Sequence, residues 1–275
     1  MKPCIQLSFT EDWRAKLKDA AGAGFARVAW ALGTPYFNTM DPRAAAEVLG
    51  YAMHEEKVQC VQTHLPFYDI FRDCGEVEEA VEQQIENGIV LSGMLGAEAA
   101  VLHPRSASAH SYSTRLAEEA LRRDLERYLP IAERHRTAVA IENLTVFPDH
   151  SDLLFYGSRY EELARIVDEY ATPHFGICWD TGHANLIKLD QAEVIRELGF
   201  RIIATHIHNN YGFHDDHALP TSGSIDFVPI MHALFEIGYD KALCLEARVP
   251  VEGIRLSFFR HAEDCLFWLL AMREM

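Results

Sequence analysis

Histidine and carboxylate side chains recur at the ends of short apolar runs of this sequence. The positions are VQCVQT (58–63) followed by His64, AAVL (99–102) by His103, AVAI (138–141) by Glu142, GICW (176–179) by Asp180 and then His183, RIIAT (201–205) by His206, and ALCL (242–245) by Glu246. Imidazole nitrogen combined with carboxylate oxygen suits Zn²⁺ or Mn²⁺ better than the all-oxygen sites of Mg²⁺ and Ca²⁺. His64 alone would be read as a structural histidine and Asp180 alone as a cap of the next turn. Because a histidine or carboxylate follows six of these runs at the same position, the set as a whole favours a divalent-metal site.

A denser group of the same residue types lies in HIHNNYGFHDDHALP (206–220). Within twelve positions it holds four histidines and two aspartates, namely His206, His208, His214, Asp215, Asp216 and His217. The chain contains 14 histidines in all. The stretch is therefore either part of the metal site or a pH-sensitive surface loop, and composition alone leaves both interpretations open.

The apolar runs have the length and composition of strands that are buried on both faces. Two further runs, CIQLS (4–8) and RVAWA (27–31), bring the number of strand candidates to eight. The segments between them carry helix signals: Asp41-Pro42 as N-cap and first residue, Ser158 with Glu161 as a capping box, the repeat Val77, Val81, Ile85, Ile89, and the stripe Leu163, Ile166, Val167, Tyr170.

Eight alternating strand and helix candidates predict one domain, 1–275, folded as a single (β/α)8 TIM barrel. The carboxyl ends of the strands share one rim in such a barrel, so the site residues would converge there as an active site. An open doubly wound sheet is the alternative. No GxGxxG follows the first strand, which argues against a dinucleotide-binding version of that fold.

The composition narrows the classes of partner. The net charge of −16 disfavours nucleic acid and anionic membranes. Six dispersed cysteines without a CxxC pair suggest buried free thiols. No apolar run is long enough to cross a membrane, and MKPCIQLSFTEDW lacks the apolar segment of a signal peptide, so we expect a cytoplasmic protein.

Several motifs taken together resemble the xylose isomerase-like TIM-barrel superfamily, which includes sugar isomerases and epimerases and the apurinic/apyrimidinic endonucleases of family 2. They are QTHLPF (62–67), VLHP (101–104), IEN (141–143), DTGHANL (180–186), HIHNN (206–210), DDHALP (215–220) and LEA (245–247). The resemblance implies one metal held by Glu142, Asp180, His206 and Glu246. The endonuclease branch implies two further metals held by His64, His103, His183, Asp215 and His217.

The isomerase or epimerase activity implied by this resemblance would act on a sugar or sugar phosphate through an enediolate. Zn²⁺ or Mn²⁺, as one to three ions, would polarise the carbonyl, while Glu142 and Glu246 would act as acid and base. His183, His208 and Arg248 would contact the small carbohydrate substrate. Arg248 could instead form a salt bridge with Glu246. The sequence leaves a homo-oligomer open.

A multinuclear phosphodiesterase acting on abasic DNA or another phosphoester is the alternative activity. The loops after the first three strands contain few cations, although they hold the aromatic residues Tyr36, Phe37, Phe67, Tyr68 and Phe71. Those aromatics would either wall a sugar pocket or cover the barrel end. Endonuclease-like relatives often carry a Gly-Glu-Gly turn where this chain has Thr221-Ser222-Gly223. Charge therefore favours the isomerase or epimerase.

The segment 143–158 is longer than a routine connection between a strand and a helix. We expect it to form a lid or outer wall of the pocket. Asp149 and His150 on this segment are expected to be solvated and not to bind the metal.

Overall fold

Parallel strands pair in sequence order, and the last pairs with the first to close a barrel. The computed structural model of the protein describes residues 1–67, 79–105, 113–145, 155–250 and 253–272. The strands are β1 (Lys2–Ser8), β2 (Arg27–Ala31), β3 (Gln59–His64), β4 (Ala99–Leu102), β5 (Ala138–Glu142), β6 (Phe175–Asp180), β7 (Ile202–Ile207) and β8 (Ala242–Leu245). Because β8 pairs with β1 in parallel, the chain forms the predicted (β/α)8 barrel, and the open sheet is excluded.

The strands match the predicted runs within two residues at each end, but several continue further than predicted. His64, Glu142, Asp180 and His206 lie inside their strands and not after them. A polar side chain leaves the main-chain N–H and C=O free to pair, so it does not end a buried parallel ladder. The pairing of Asp180 with His206 in the register of β6 and β7 illustrates this.

Helices connect the strands on the outside of the barrel. Their bounds are α1 (Trp13–Ala23), α2 (Pro35–Asn38), α3 (Pro42–Glu56), α4 (Glu79–Met94), α5 (Thr114–His135), α6 (Tyr160–Tyr170), α7 (Thr181–Leu186), α8 (Gln191–Leu198), α9 (Phe227–Glu236) and α10 (Arg255–Ala271). Asp41 caps α3 as predicted, with its carboxylate accepting from the N–H groups of Arg43 and Ala44. None of the helices within the described ranges is long and apolar enough to cross a membrane.

The capping box predicted at Ser158 is wrong. Helix α6 begins at Tyr160, and Arg159 stands in the N-cap position without a side-chain cap. The N–H of Ser158 donates to the carbonyl of Phe155, which places Ser158 in the preceding turn. The apolar stripe on α6 is confirmed, because Leu163, Ile166 and Val167 are buried and Tyr170 packs against the core.

Small side chains fill the barrel beneath the predicted site. Ala99, Val101, Ala140, Cys178 and Ala204 form a cluster separate from the large core that lies between the strands and the helices. Side chains alternate along a strand, so the residue two positions after an interior one also faces the interior. His103, Glu142, Asp180 and His206 each follow a member of this cluster by two residues. The alternation therefore aims these side chains into the mouth of the barrel.

The cysteines of the described residues are free and buried, as predicted: Cys4, Cys60, Cys178, Cys244 and Cys265. Cys74 lies outside the described residues. Burial raises the pKa of the Cys60 thiol to about 12. Cys60 therefore behaves as a small apolar side chain and not as a thiolate ligand.

Candidate active site

Glu142, Asp180, His206 and Glu246 meet at the mouth of the barrel. One donor atom of each lies within 4.8 Å of the donors of the others. The Nδ1 atom of His206 is 3.0 Å from Oε1 of Glu142, 2.9 Å from Oε2 of Glu246 and 3.8 Å from Oδ2 of Asp180. Three carboxylates thus surround one imidazole nitrogen, and the structure brings the predicted central ligands together.

This group carries an excess of buried negative charge. Burial alone would raise the pKa of Glu142 and of Glu246, but the neighbouring His206 more than offsets it and holds both pKa values low. Burial likewise opposes the charged form of His206, yet the adjacent carboxylates raise its pKa well above the usual value. Three buried carboxylates beside one imidazole favour a further cation, since buried charge is costly unless it is paired. The donor set and its charge fit Zn²⁺ or Mn²⁺.

His64 and His103 approach the other oxygen of Glu142. Their Nε2 atoms lie 3.2 Å and 3.1 Å from Oε2 of Glu142, and the three residues form a second group able to hold an ion. The ring of Phe67 packs at 4.8 Å from the His64 ring and 4.6 Å from the His103 ring. Burial lowers the pKa of His103, which favours its neutral, metal-binding form.

His183, Asp215 and His217, the other residues that the endonuclease resemblance implies as ligands, lie further from one another. Oδ2 of Asp215 lies 2.9 Å from Nε2 of His217 but 3.6 Å from Nε2 of His183. Within the described part of the chain, these three do not meet the mutual separation that the other two groups meet, and His217 instead joins His208 and Glu246. Although burial lowers the pKa of His217, the Asp215 carboxylate raises it to about 9. The contact is thus an ion pair in the absence of a metal.

Asp180 also caps a helix, so its predicted structural role and its place in the site coexist. Its Oδ1 accepts from the N–H of His183 at 2.6 Å, at the start of α7. His208, predicted to contact the substrate, has its Nε2 at 3.1 Å and 3.0 Å from the two carboxylate oxygens of Asp180. A Cβ atom at Gly182 would clash with the ring of His208. Glycine at this position therefore allows His208 to reach Asp180.

Asn143, the last residue of the motif IEN (141–143), was not predicted to have a role, but in the structure it holds Asp180 and His183 in place. Its side-chain Oδ1 accepts from the N–H of Asp180 at 2.6 Å, and its Nδ2 donates to the Asp180 carbonyl at 3.0 Å. Its own carbonyl lies 2.9 Å from Nδ1 of His183. Asn143 therefore ties the end of β5 to the end of β6 and orients His183, predicted as a substrate contact.

A cavity of about 290 Å³ opens beside Glu246. It is lined by Gln6, Ser8, Lys16, His217, Glu246, Ala247, Arg248 and Val249. Within the described residues, Arg248 forms no ion pair with Glu246; its Nη2 donates to the Asp215 carbonyl at 3.3 Å. Among the described residues the expected pairing of Arg248 with Glu246 is thus not formed, and Arg248 lines the cavity.

Gln6 and Lys16 belong to this cavity but were not identified from the sequence. Nε2 of Gln6 donates to Oε1 of Glu246 at 2.6 Å, across the closure of the barrel. The sequence offered one indication of Gln6: it is an amide residue within the apolar run CIQLS, at an alternate position that faces the barrel interior. Lys16 lies on helix α1, and no motif or spacing in the sequence indicated that it would reach the cavity.

The remaining predictions near the mouth have mixed outcomes. Phe37 is buried against Phe9 in the large core, so its ring does not wall an open pocket. Phe67 is half exposed beside the histidines. Tyr68, Phe71, Asp149, His150 and most of the predicted lid, 146–154, lie outside the described residues.

The family model of the xylose isomerase-like TIM barrel matches residues 17–260. The chain belongs to this family. In sequence it is 32% identical to the uncharacterized protein y4fM of Sinorhizobium fredii over 195 residues, 70% of this chain and 60% of that protein. It is 33% identical to the D-psicose 3-epimerase of Enterocloster bolteae over 93 residues, 34% of this chain and 29% of that enzyme. The chain thus spans less than two thirds of each of these curated relatives, 60% of the first and 29% of the second.

Among solved structures, the barrel superposes on that of a D-tagatose 3-epimerase-like protein with a TM-score of 0.78. The identity is 23%, and the superposition covers 100% of this chain and 98% of the other. At this identity the likeness establishes the shared fold of the xylose isomerase-like family.

Proposed function

We propose that this chain, acting as a single barrel domain over 1–275, is a divalent-metal-dependent isomerase or epimerase of a sugar or sugar derivative. The observation that carries the proposal is the pair Glu142 and Glu246. Each directs one oxygen to His206, within 3.0 Å, and the other away from it. Sequence similarity to a D-psicose 3-epimerase and the likeness to a D-tagatose 3-epimerase-like protein support the same class of reaction.

The residues that would hold the metal are Glu142, Asp180, His206 and Glu246. A Zn²⁺ or Mn²⁺ ion bound there would supply Lewis-acid polarisation of a substrate carbonyl and its neighbouring hydroxyl. Glu142 is enclosed, with its side chain 1% exposed, whereas the side chain of Glu246 is 16% exposed and reaches the cavity. The substrate would therefore enter from the side of Glu246.

The two glutamates would move the proton. One carboxylate would remove the proton from the carbon that bears the hydroxyl group, leaving an enediolate, and the other would return a proton to the opposite face. Glu142 comes from β5 and Glu246 follows β8, so their second oxygens lie on different sides of the central group. His183, His208 and Arg248 would orient the hydroxyl groups.

The test is an assay of D-psicose and D-tagatose with protein that has been stripped of metal by chelation and then reloaded with Mn²⁺, Zn²⁺ or Co²⁺. We expect turnover only after reloading, with solvent deuterium entering the substrate C–H at the inverted carbon. Retention of full activity after complete chelation would overturn the metal dependence. Inversion without exchange of that hydrogen in D₂O would overturn the two-carboxylate mechanism.

A phosphodiesterase is the second candidate, because His64 and His103 lie 3.2 Å and 3.1 Å from Glu142 and could hold another ion. The net charge of −16 opposes binding to a polyanion. Metal analysis separates the two candidates. We expect one tightly held ion per chain and no cleavage of abasic-site DNA at physiological salt; two or more ions together with cleavage would favour the phosphodiesterase.

A further inference from the structure

The cavity beside Glu246 lies where β8 meets β1, between the proposed metal ligand and helix α1. Glu246 forms one of its walls, and Gln6, Lys16 and Arg248 form others. A sugar held at the central group would therefore extend one end into this cavity. The side chains on its walls indicate what that end carries.

Lys16 is fixed in place with one donor to spare. Its side chain is only 15% exposed, and Nζ donates to Oγ1 of Thr10 at 2.6 Å and to Oδ1 of Asp12 at 2.8 Å. An ammonium group has three N–H donors, so one remains for a ligand. The carboxylate of Asp12 is shared, since Nη1 of the buried Arg255 lies 3.0 Å from its other oxygen. Arg255 also pairs with Asp19 at 2.7 Å, so Asp12 and Asp19 together balance Arg255 and Lys16. What Lys16 offers the cavity is therefore its third N–H donor.

Arg248 supplies the second cation. Its N–H pairs with the carbonyl of His217 at 3.0 Å, which fixes the main chain at the edge of the cavity. In the described ranges, its guanidinium has no carboxylate within 4 Å and is engaged through Nη2 by the Asp215 carbonyl. A guanidinium group has five N–H donors, and the planar fork matches the two oxygens of a carboxylate or phosphate.

Gln6 adds an acceptor between the cations and Glu246. Its Nε2 is committed to Glu246, whereas its buried Oε1 has no hydrogen-bond partner among the described residues. A buried amide oxygen without a donor is costly, so this atom is suited to accept from a ligand hydroxyl. The wall thus offers an acceptor for a hydroxyl group next to two donors for an anion.

We propose that this cavity is a subsite for a phosphate or carboxylate group at the end of the sugar that is remote from the reacting carbon. The proposal rests on the proposed function and narrows its substrate class to acidic sugars. Lys16 and Arg248 would bind the anionic group, and Gln6 would bind the hydroxyl next to it. In a chain with a net charge of −16, such local cations are needed to hold an anionic substrate.

Calorimetric titration of the Mn²⁺-loaded protein with ribitol, ribitol 5-phosphate and ribonate tests the subsite. The three ligands share a polyol chain and differ in the terminal group. We expect at least one of the two anions to bind about tenfold or more tightly than ribitol. Tighter binding of the phosphate or of the carboxylate identifies which group the subsite takes.

The variants Lys16→Met, Arg248→Met and the double variant should lose this preference, so that the two anions bind no more tightly than ribitol does to the same variant. Arg14→Met is the matched control, because Arg14 is on the same helix as Lys16 but is exposed and faces Glu55 at 3.6 Å. Arg248 is exposed on the rim, so its variant remains informative even if Lys16→Met fails to fold.

Equal affinity for the three ligands would overturn the proposal, and so would a preference that survives in the double variant, since the anion would then be bound by the metal. The ligands are not turned over. A protein inactive on every ketose could thus still show the subsite, and an active epimerase could lack it.

Discussion

Glu142 and Glu246 are the same residue type at the ends of β5 and β8, and both reach His206, yet their second oxygens have different surroundings. Oε2 of Glu142 lies between the imidazoles of His64 and His103, at 3.2 Å and 3.1 Å. Oε1 of Glu246 accepts from the amide of Gln6 at 2.6 Å and borders the cavity. The second oxygen of Glu142 is thus enclosed by imidazoles, whereas the second oxygen of Glu246 lies beside an amide at the edge of a cavity.

The largest test of this comparison is the pair of substitutions Glu142→Gln and Glu246→Gln. Each keeps the shape of the side chain but removes a base, so we expect kcat to fall by about 10²–10⁴-fold in both. Glu98→Gln, on a surface ion pair with Lys241 at 2.9 Å, is the control and should remain active. Metal content measured in parallel separates loss of the base from loss of the ion. Near-normal kcat in either metal-loaded variant would contradict the proposed acid–base pair.

A smaller effect is expected from Gln6→Met, which removes the hydrogen bond to Glu246 without touching Glu142. The carboxylate loses a charge-assisted hydrogen bond, so we expect kcat to fall by about tenfold. Metal content should be unchanged. The pH dependence of kcat/KM should also shift, because the hydrogen bond stabilises the ionised form. An unaltered pH profile together with unaltered kcat would show that the amide does not influence the base.

The smallest effect concerns the Asp215–His217 pair at the edge of the cavity. Because the folded-state pKa of His217 is raised from 6.5 to about 9, its stabilising contribution is complete below pH 6.5 and is lost as pH rises to about 9. In metal-free protein, His217→Gln should therefore destabilise at pH 6 and approach the parent at pH 9. The difference is at most about 3 kcal/mol.

Urea unfolding of both proteins at pH 6, 7.5 and 9 measures this change. Asp215 has the opposite pH dependence. Because its pKa is lowered in the folded protein, its contribution to stability is lost as the pH falls into the acid range. A gap between the two proteins that is constant across these pH values would show that the imidazole does not titrate against Asp215.

The eight strands were predictable because each is a short apolar run, and the site was predictable because polar residues stand at one phase of the repeat. Glu142, Asp180 and His206 show this most clearly. The partners across the barrel closure were not predictable. Gln6 and Glu246 are 240 positions apart, and only the pairing of β8 with β1 brings them together.

The capping box at Ser158 failed for a local reason. Its spacing matched the motif, but the N–H of Gly157 donates to the carboxylate of Glu162, at 3.3 Å, one residue beyond the glutamate of the predicted box. Another local hydrogen bond, one residue out of register with the motif, is thus formed in place of the predicted box. The role of His208 depended on a tertiary contact, because its approach to Asp180 follows from the absence of a side chain at Gly182.

The closure of the barrel also sets an order of assembly during synthesis. Glu142, Asp180 and His206 leave the ribosome well before Glu246, and β1 waits for β8 until nearly the whole described chain has been made. Domains fold as units during synthesis, and contacts of long sequence separation form late. The nascent chain therefore carries an incomplete central group for most of its translation, and an ion that this group held would be captured late in its maturation.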